Sequence, residues 1–152
     1  MILIDRVDAF KQLGRVLSNF HNTSNFKNII LKAENNNNWF TQRHIECAIL
    51  SLSYMLRKDN LMQFISSYDF CDSVKKVGVI IPSNIPLVGF YDFLCVLLSG
   101  HIFIGKLSKS NNVLLPFIAN LLCGINMGFK SKIYFQNQLS NVDIVIATGG
   151  DH

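Results

Sequence analysis

A chain of 152 residues with 49% hydrophobic and only 16% charged residues has the apolar mass for one packed core. That excludes a charge-rich disordered polymer. The formal charge is +4, but the fourteen Lys and Arg are scattered rather than gathered into an arm, so nucleic acid is not an expected partner. Cys47, Cys71, Cys95 and Cys123 form no CxxC pair. They read as reduced thiols in a cytoplasmic protein, with no metal site. Asp5, Arg6, Asp8 and Lys11 interrupt any apolar start, so no signal peptide is expected.

Leu3, Val7, Phe10, Leu13, Leu17 and Phe20 step by three or four residues and predict a first amphipathic helix. A short second helix is expected over Asn25 to Ala33. The run Asn35-Asn36-Asn37-Asn38 should break it, because Asn competes for backbone hydrogen bonds. The tetrad itself suggests no function. Ile45, Ala48, Ile49, Leu52 and Leu56 mark a third helix with Thr41 as its cap, and Leu61 to Ile65 a short fourth one.

From Val74 the texture changes. Val77-Gly78-Val79-Ile80-Ile81, ended by Pro82, suits a strand buried on both faces. Ser83-Asn84-Ile85-Pro86 then places a cap and a first-turn proline, predicting a buried helix to about Leu98. Asp92 and the Ser99-Gly100-His101 turn divide the apolar stretch Leu87 to Gly105, leaving less than the ~20 unbroken residues a membrane span needs. His101 to Leu107 reads as a second strand. Asn111 or Asn112 should cap a helix over Leu114 to Leu122, and Lys132 to Phe135 and Asp143 to Ala147 read as two further strands. Alternating strands and helices imply an α/β fold with a parallel sheet. The expected organisation is a helical segment, 1–73, packed on an α/β segment, 74–152.

Ligands of open parallel sheets bind at the carboxyl ends of the strands. Three ends are legible: Pro82-Ser83-Asn84-Ile85-Pro86, Gly105-Lys106-Leu107-Ser108-Lys109 and Ala147-Thr148-Gly149-Gly150. They offer side-chain amides, ammonium groups and small turns of the kind that receive phosphates and oxyanions.

In order and spacing, "KKVGVIIPSNIPLVGFYDFLCVLLSGHIFIGKLSKSNNVLLPFIANLL" followed by "VDIVIATGG" resembles the amino-terminal half of the acyl-CoA reductase family. These are the LuxC-type fatty-acid reductases, relatives of the aldehyde dehydrogenases. "DAFKQLGRVLSNF" and "NNWFTQRHIECAI" are similar to that family's helical lead-in. The resemblance implies a Rossmann-like sheet of the aldehyde dehydrogenase-like type with a helical amino-terminal layer. It also implies NADPH-dependent reduction of a fatty acyl-CoA to an aldehyde through an acyl-cysteine intermediate. By the same resemblance, the partners are an acyl-CoA substrate and a homo-oligomer or an acyl-transferring protein.

Residue by residue, Asn84 matches the side-chain amide aimed at the thiohemiacetal oxyanion, although by composition alone it reads as a helix cap. Lys106 matches the lysine that reaches the adenosine ribose. Three residues on, where many NAD-dependent relatives carry Glu, stands Lys109, whose cation would attract a 2′-phosphate and so favour NADPH over NADH. Ser108 adds a hydroxyl there. Thr148-Gly149-Gly150 matches the turn under the pyrophosphate, with Gly150 where the family usually has Ser. The resemblance further implies that the nucleophilic cysteine belongs to a catalytic half beyond His152. Cys95, inside an apolar helix, is no substitute, and His44 and His101 read as structural or surface residues. The leading expectation is therefore an amino-terminal reductase fragment that is inactive alone. The alternatives are a non-catalytic nucleotide-binding or assembly module, and a gene product unable to fold stably.

Overall fold

The computed structural model describes residues 1–148. Four helices come first: α1 (Leu3–Ser18), α2 (Ser24–Asn36), α3 (Gln42–Met55) and α4 (Lys58–Ile65). An alternating half follows: β1 (Lys76–Ile80), α5 (Phe90–Leu98), β2 (Ile102–Lys106), α6 (Leu114–Ile125), β3 (Ile133–Gln136) and β4 (Ile144–Ala147). The sheet order is β3-β2-β1-β4 and every pairing is parallel. This is a Rossmann-like α/β arrangement, as expected from the sequence. Among the described residues no helix is long and apolar enough to cross a membrane.

The predicted elements shift in four places. The first helix stops at Ser18, and Phe20 enters the core from a separate 3-10 turn. α2 continues through Asn36, so the first two asparagines of the run belong to the helix instead of breaking it after Ala33. The helix expected after Pro86 begins only at Phe90. Its cause is Leu87, whose φ of 59° is left-handed and cannot be part of a right-handed helix. Phe90 N–H instead closes a turn onto the Leu87 carbonyl at 3.0 Å. Finally, neither Asn111 nor Asn112 caps α6, which has Val113 at its N-cap and no side-chain capping bond. Thr41 does cap α3, its hydroxyl accepting from His44 N–H at 3.2 Å.

One core joins the helical layer to the sheet. α1 packs against α3, α5 and α6, and α5 lies on β1 and β2. A chain of aromatic edges runs through it: Phe10 to Phe93 at 6.3 Å, Phe93 to Phe103 at 5.0 Å, and Phe103 to Phe135 at 5.9 Å between ring centroids. All but Phe135 are fully buried. Because side chains alternate along a strand, Val77 and Val79 face this core while Gly78 faces away. The opposite sheet face is crossed by the segment 137–143 rather than by a helix. A Cβ at Gly78 would stand 2.9 Å from Leu139 and 3.1 Å from Val142, so glycine is what lets the crossover lie flat on β1. At the outer strand, Ile144 and Val145 remain 48% and 52% exposed.

Candidate functional site

The strand order sets the location of the site. From β1 the chain steps outward to β2 and β3, then returns to the other side of β1 as β4. In open parallel sheets such a reversal marks the ligand crevice at the carboxyl ends, here beside the loops after β1 and β4. In register, Ile80 lies between Lys106 of β2 and Ala147 of β4. The three loops singled out from sequence thus leave the sheet side by side.

Asn84 is exposed on the turn after β1. With α5 starting at Phe90, the helix-cap role does not apply to it. Lys106 ends β2, half-buried, and its carbonyl accepts from Ile81 N–H at 3.1 Å. Lys109 is exposed. The one ion pair among the described residues joins Lys11 to Asp8, so neither Lys106 nor Lys109 has a carboxylate neighbour there. The Ser108 hydroxyl sits 3.4 Å from that of Ser110. Thr148 lies near the carboxyl of Asp92 in the first turn of α5. Burial raises the Asp92 pKa, and the Thr148 hydrogen bond opposes that rise. Gly149 and Gly150 lie outside the described residues.

Three asparagines that sequence reading had not assigned to the site hold these loops. Asn37, only 3% exposed, donates its side-chain amide to the Ser83 carbonyl at 2.8 Å while its Oδ1 accepts from Trp39 N–H at 2.9 Å. Asn111, 5% exposed, donates to the Pro82 carbonyl at 2.7 Å. Asn36 donates to the Lys109 carbonyl at 3.0 Å and to Asn112 Oδ1 at 3.1 Å. The end of α2 is thus tied to the loops after both β1 and β2. For Asn36 and Asn37 the only sequence signal was the asparagine tetrad, which carries no mark of burial.

A cleft of about 400 Å³ lies at the opposite, amino end of the sheet, lined by Arg6, Cys71, His101 and Lys132 among others. Its cations are already engaged. Arg6 Nε donates to the Leu98 carbonyl at 2.8 Å and Lys132 Nζ to the Gly100 carbonyl at 3.4 Å, which caps the negative end of α5. His101 Nδ1 accepts Lys75 N–H at 3.2 Å. These contacts account for the charges structurally, so the carboxyl-end crevice is the better candidate.

The cysteines do not reach that crevice. Cys95 and Cys123 are half-buried, and burial pushes both thiols up. Cys47 lies within α3, and Cys71 precedes β1 at the amino end. Among the described residues no three His, Cys, Asp or Glu are grouped to hold a metal.

A parallel sheet with its crevice at the strand reversal defines a Rossmann-like α/β protein. A family model described as acyl-CoA reductase (LuxC) matches residues 16–151, and the chain belongs to that family of acyl-group-reducing oxidoreductases. Neither the curated proteins nor the solved structures give a match.

Proposed function

We propose that this chain supplies the dinucleotide-binding part of an NADPH-dependent fatty acyl-CoA reductase, with the helical layer 1–73 as a scaffold for the α/β segment 74–152. The observation that supports the reading most is Lys106 at the carboxyl end of β2 beside β1, with exposed Lys109 on the loop that follows and neither in an ion pair among the described residues. An anionic dinucleotide fits such a donor set. When bound, NADPH supplies a hydride. Lys106 orients the adenosine ribose, and the exposed Lys109 ammonium attracts the 2′-phosphate, where a carboxylate would repel it. Ser108 adds a hydroxyl donor at the same end. Thr148 adds a hydroxyl for the pyrophosphate, and it begins the Thr148-Gly149-Gly150 sequence that the family resemblance assigns to that group.

Asn84, free of any capping duty, offers its amide to the oxygen of an acyl-cysteine adduct as that oxygen gains charge. One well-placed donor of this kind contributes ~3 kcal/mol to the transition state. The thiol that forms the adduct is not one of the four cysteines here, since two are half-buried with raised pKa and two lie on the surface in α3 and ahead of β1. The 152-residue chain by itself should bind NADPH and release no aldehyde from a long-chain acyl-CoA. Trp39, the sole tryptophan and 76% exposed, reports binding by fluorescence. Saturable quenching by NADPH at lower concentration than by NADH supports the reading. Equal affinities remove the role of Lys109, and aldehyde formation removes the assignment of the cysteines.

A further inference from the structure

We infer that Asn37 and Asn111 are positioning residues that aim the backbone N–H groups of Asn84 and Ser83 at an anionic oxygen in the crevice. The inference deepens the reading above and rests on it for the source of that oxygen, the cofactor diphosphate.

The geometry follows from the peptide bond. In a trans peptide the C=O and N–H point in opposite directions, and no peptide among the described residues is cis. The Ser83 carbonyl receives the Asn37 amide, so the N–H of Asn84 in the same peptide is turned away from α2. The Pro82 carbonyl receives the Asn111 amide, so the N–H of Ser83 is turned away from the loop before α6. Among the described residues neither N–H has a hydrogen-bond partner.

Two buried amides, reaching across 46 and 29 residues of sequence, thus fix two successive peptide planes of one loop. Folding alone does not require this arrangement: a loop packed without the two asparagines would leave its half-exposed carbonyls to water, whereas burying an asparagine has a desolvation cost that its hydrogen bonds must offset. Rigid, outward-facing donors are what an oxyanion or phosphate site requires, because the donors then need no reorganisation when charge arrives. The left-handed Leu87 ends the same loop and holds the start of α5 away from it.

The test is an amide chemical-shift titration of the full chain with inorganic pyrophosphate and, separately, with NADPH. The Ser83 and Asn84 amides should move downfield and saturate with pyrophosphate. Asn37→Ser keeps an acceptor for Trp39 N–H but cannot reach Ser83. It should weaken that response about tenfold, and Asn111→Ser should act likewise through Pro82. An unchanged response in variants that keep a sharp thermal transition overturns the inference. So does the absence of any shift at Ser83 and Asn84 in the wild type, a result that needs no variant. NADPH shifts at Lys106 and Lys109 without shifts at Ser83 and Asn84 overturn this inference and leave the cofactor reading in place. Pyrophosphate shifts at Ser83 and Asn84 without NADPH binding do the reverse.

Discussion

The side-chain amide of Asn37, at the end of α2, donates to the main-chain carbonyl of Ser83, on the loop after β1, at 2.8 Å. Through this bond the helical layer fixes part of the sheet's carboxyl end. Asn37→Ala leaves the Ser83 carbonyl and the Trp39 N–H without their partner in a site only 3% exposed. The expected loss is ~1–3 kcal/mol in urea unfolding. A loss below ~0.5 kcal/mol, the level of an ordinary surface change, would mean that water replaces the amide at no cost.

The aromatic chain makes a second prediction. Phe93 is fully buried and touches Phe10, Phe90 and Phe103 edge-on or tilted. Phe93→Ala removes the contact between the helical layer and β2 and leaves a cavity, at ~3–5 kcal/mol. For a chain of this size that lowers Tm by ~10 °C. A scanning-calorimetry shift of only one or two degrees, ~0.5 kcal/mol, would show that the helical layer and the sheet are not one cooperative unit.

His101 makes stability depend on pH. Its Nδ1 must be unprotonated to accept Lys75 N–H. Burial first, then Lys132, Arg6 and Lys75, hold its pKa below the usual imidazole value, while Cys71 and Asp72 line the same cleft. The unfolded chain therefore binds the proton more readily than the folded one. The contribution of His101 is complete above the unfolded value of about 6.5 and is lost as pH falls towards the lowered folded value. Denaturation midpoints from about pH 7.5 to about pH 5 should fall more steeply in the wild type than in His101→Gln. Parallel curves would assign the slope to other groups.

Lys109 bears on the choice of cofactor. Lys109→Glu should weaken NADPH binding by about ten- to a hundredfold while leaving NADH unchanged or improved. Added salt should shrink the wild-type preference, since the exposed ammonium is screened. Equal effects on both cofactors would make Lys109 an ordinary surface charge, leaving Lys106 as the cation of the site.

Much of this was legible in the sequence because it is local. The apolar runs of β1 and β2, the Thr41 cap and the three-and-four spacing of α1 each announce themselves within a few residues. The start of α5 did not, because Pro86 is a good first-turn residue and nothing in the sequence around Leu87 signals a left-handed φ. The roles of Asn37 and Asn111 were invisible for a different reason. Their partners lie 46 and 29 residues away, and an asparagine in a polar run looks the same whether its amide meets water or a buried carbonyl. Asn84, Lys106 and Lys109 took their roles from the family resemblance of the strand-end loops, and the parallel register sets the strands that carry those loops side by side.

The central claim is that the carboxyl-end crevice, and not the cleft at the amino end, binds the dinucleotide. Mapping amide shifts on titrating the full chain with NADPH tests it most directly. The account predicts saturable shifts clustered at Ser83–Asn84, Lys106–Lys109 and Thr148. Shifts clustered instead at Gly100, His101 and Lys132, or no saturable shift at all, would contradict it.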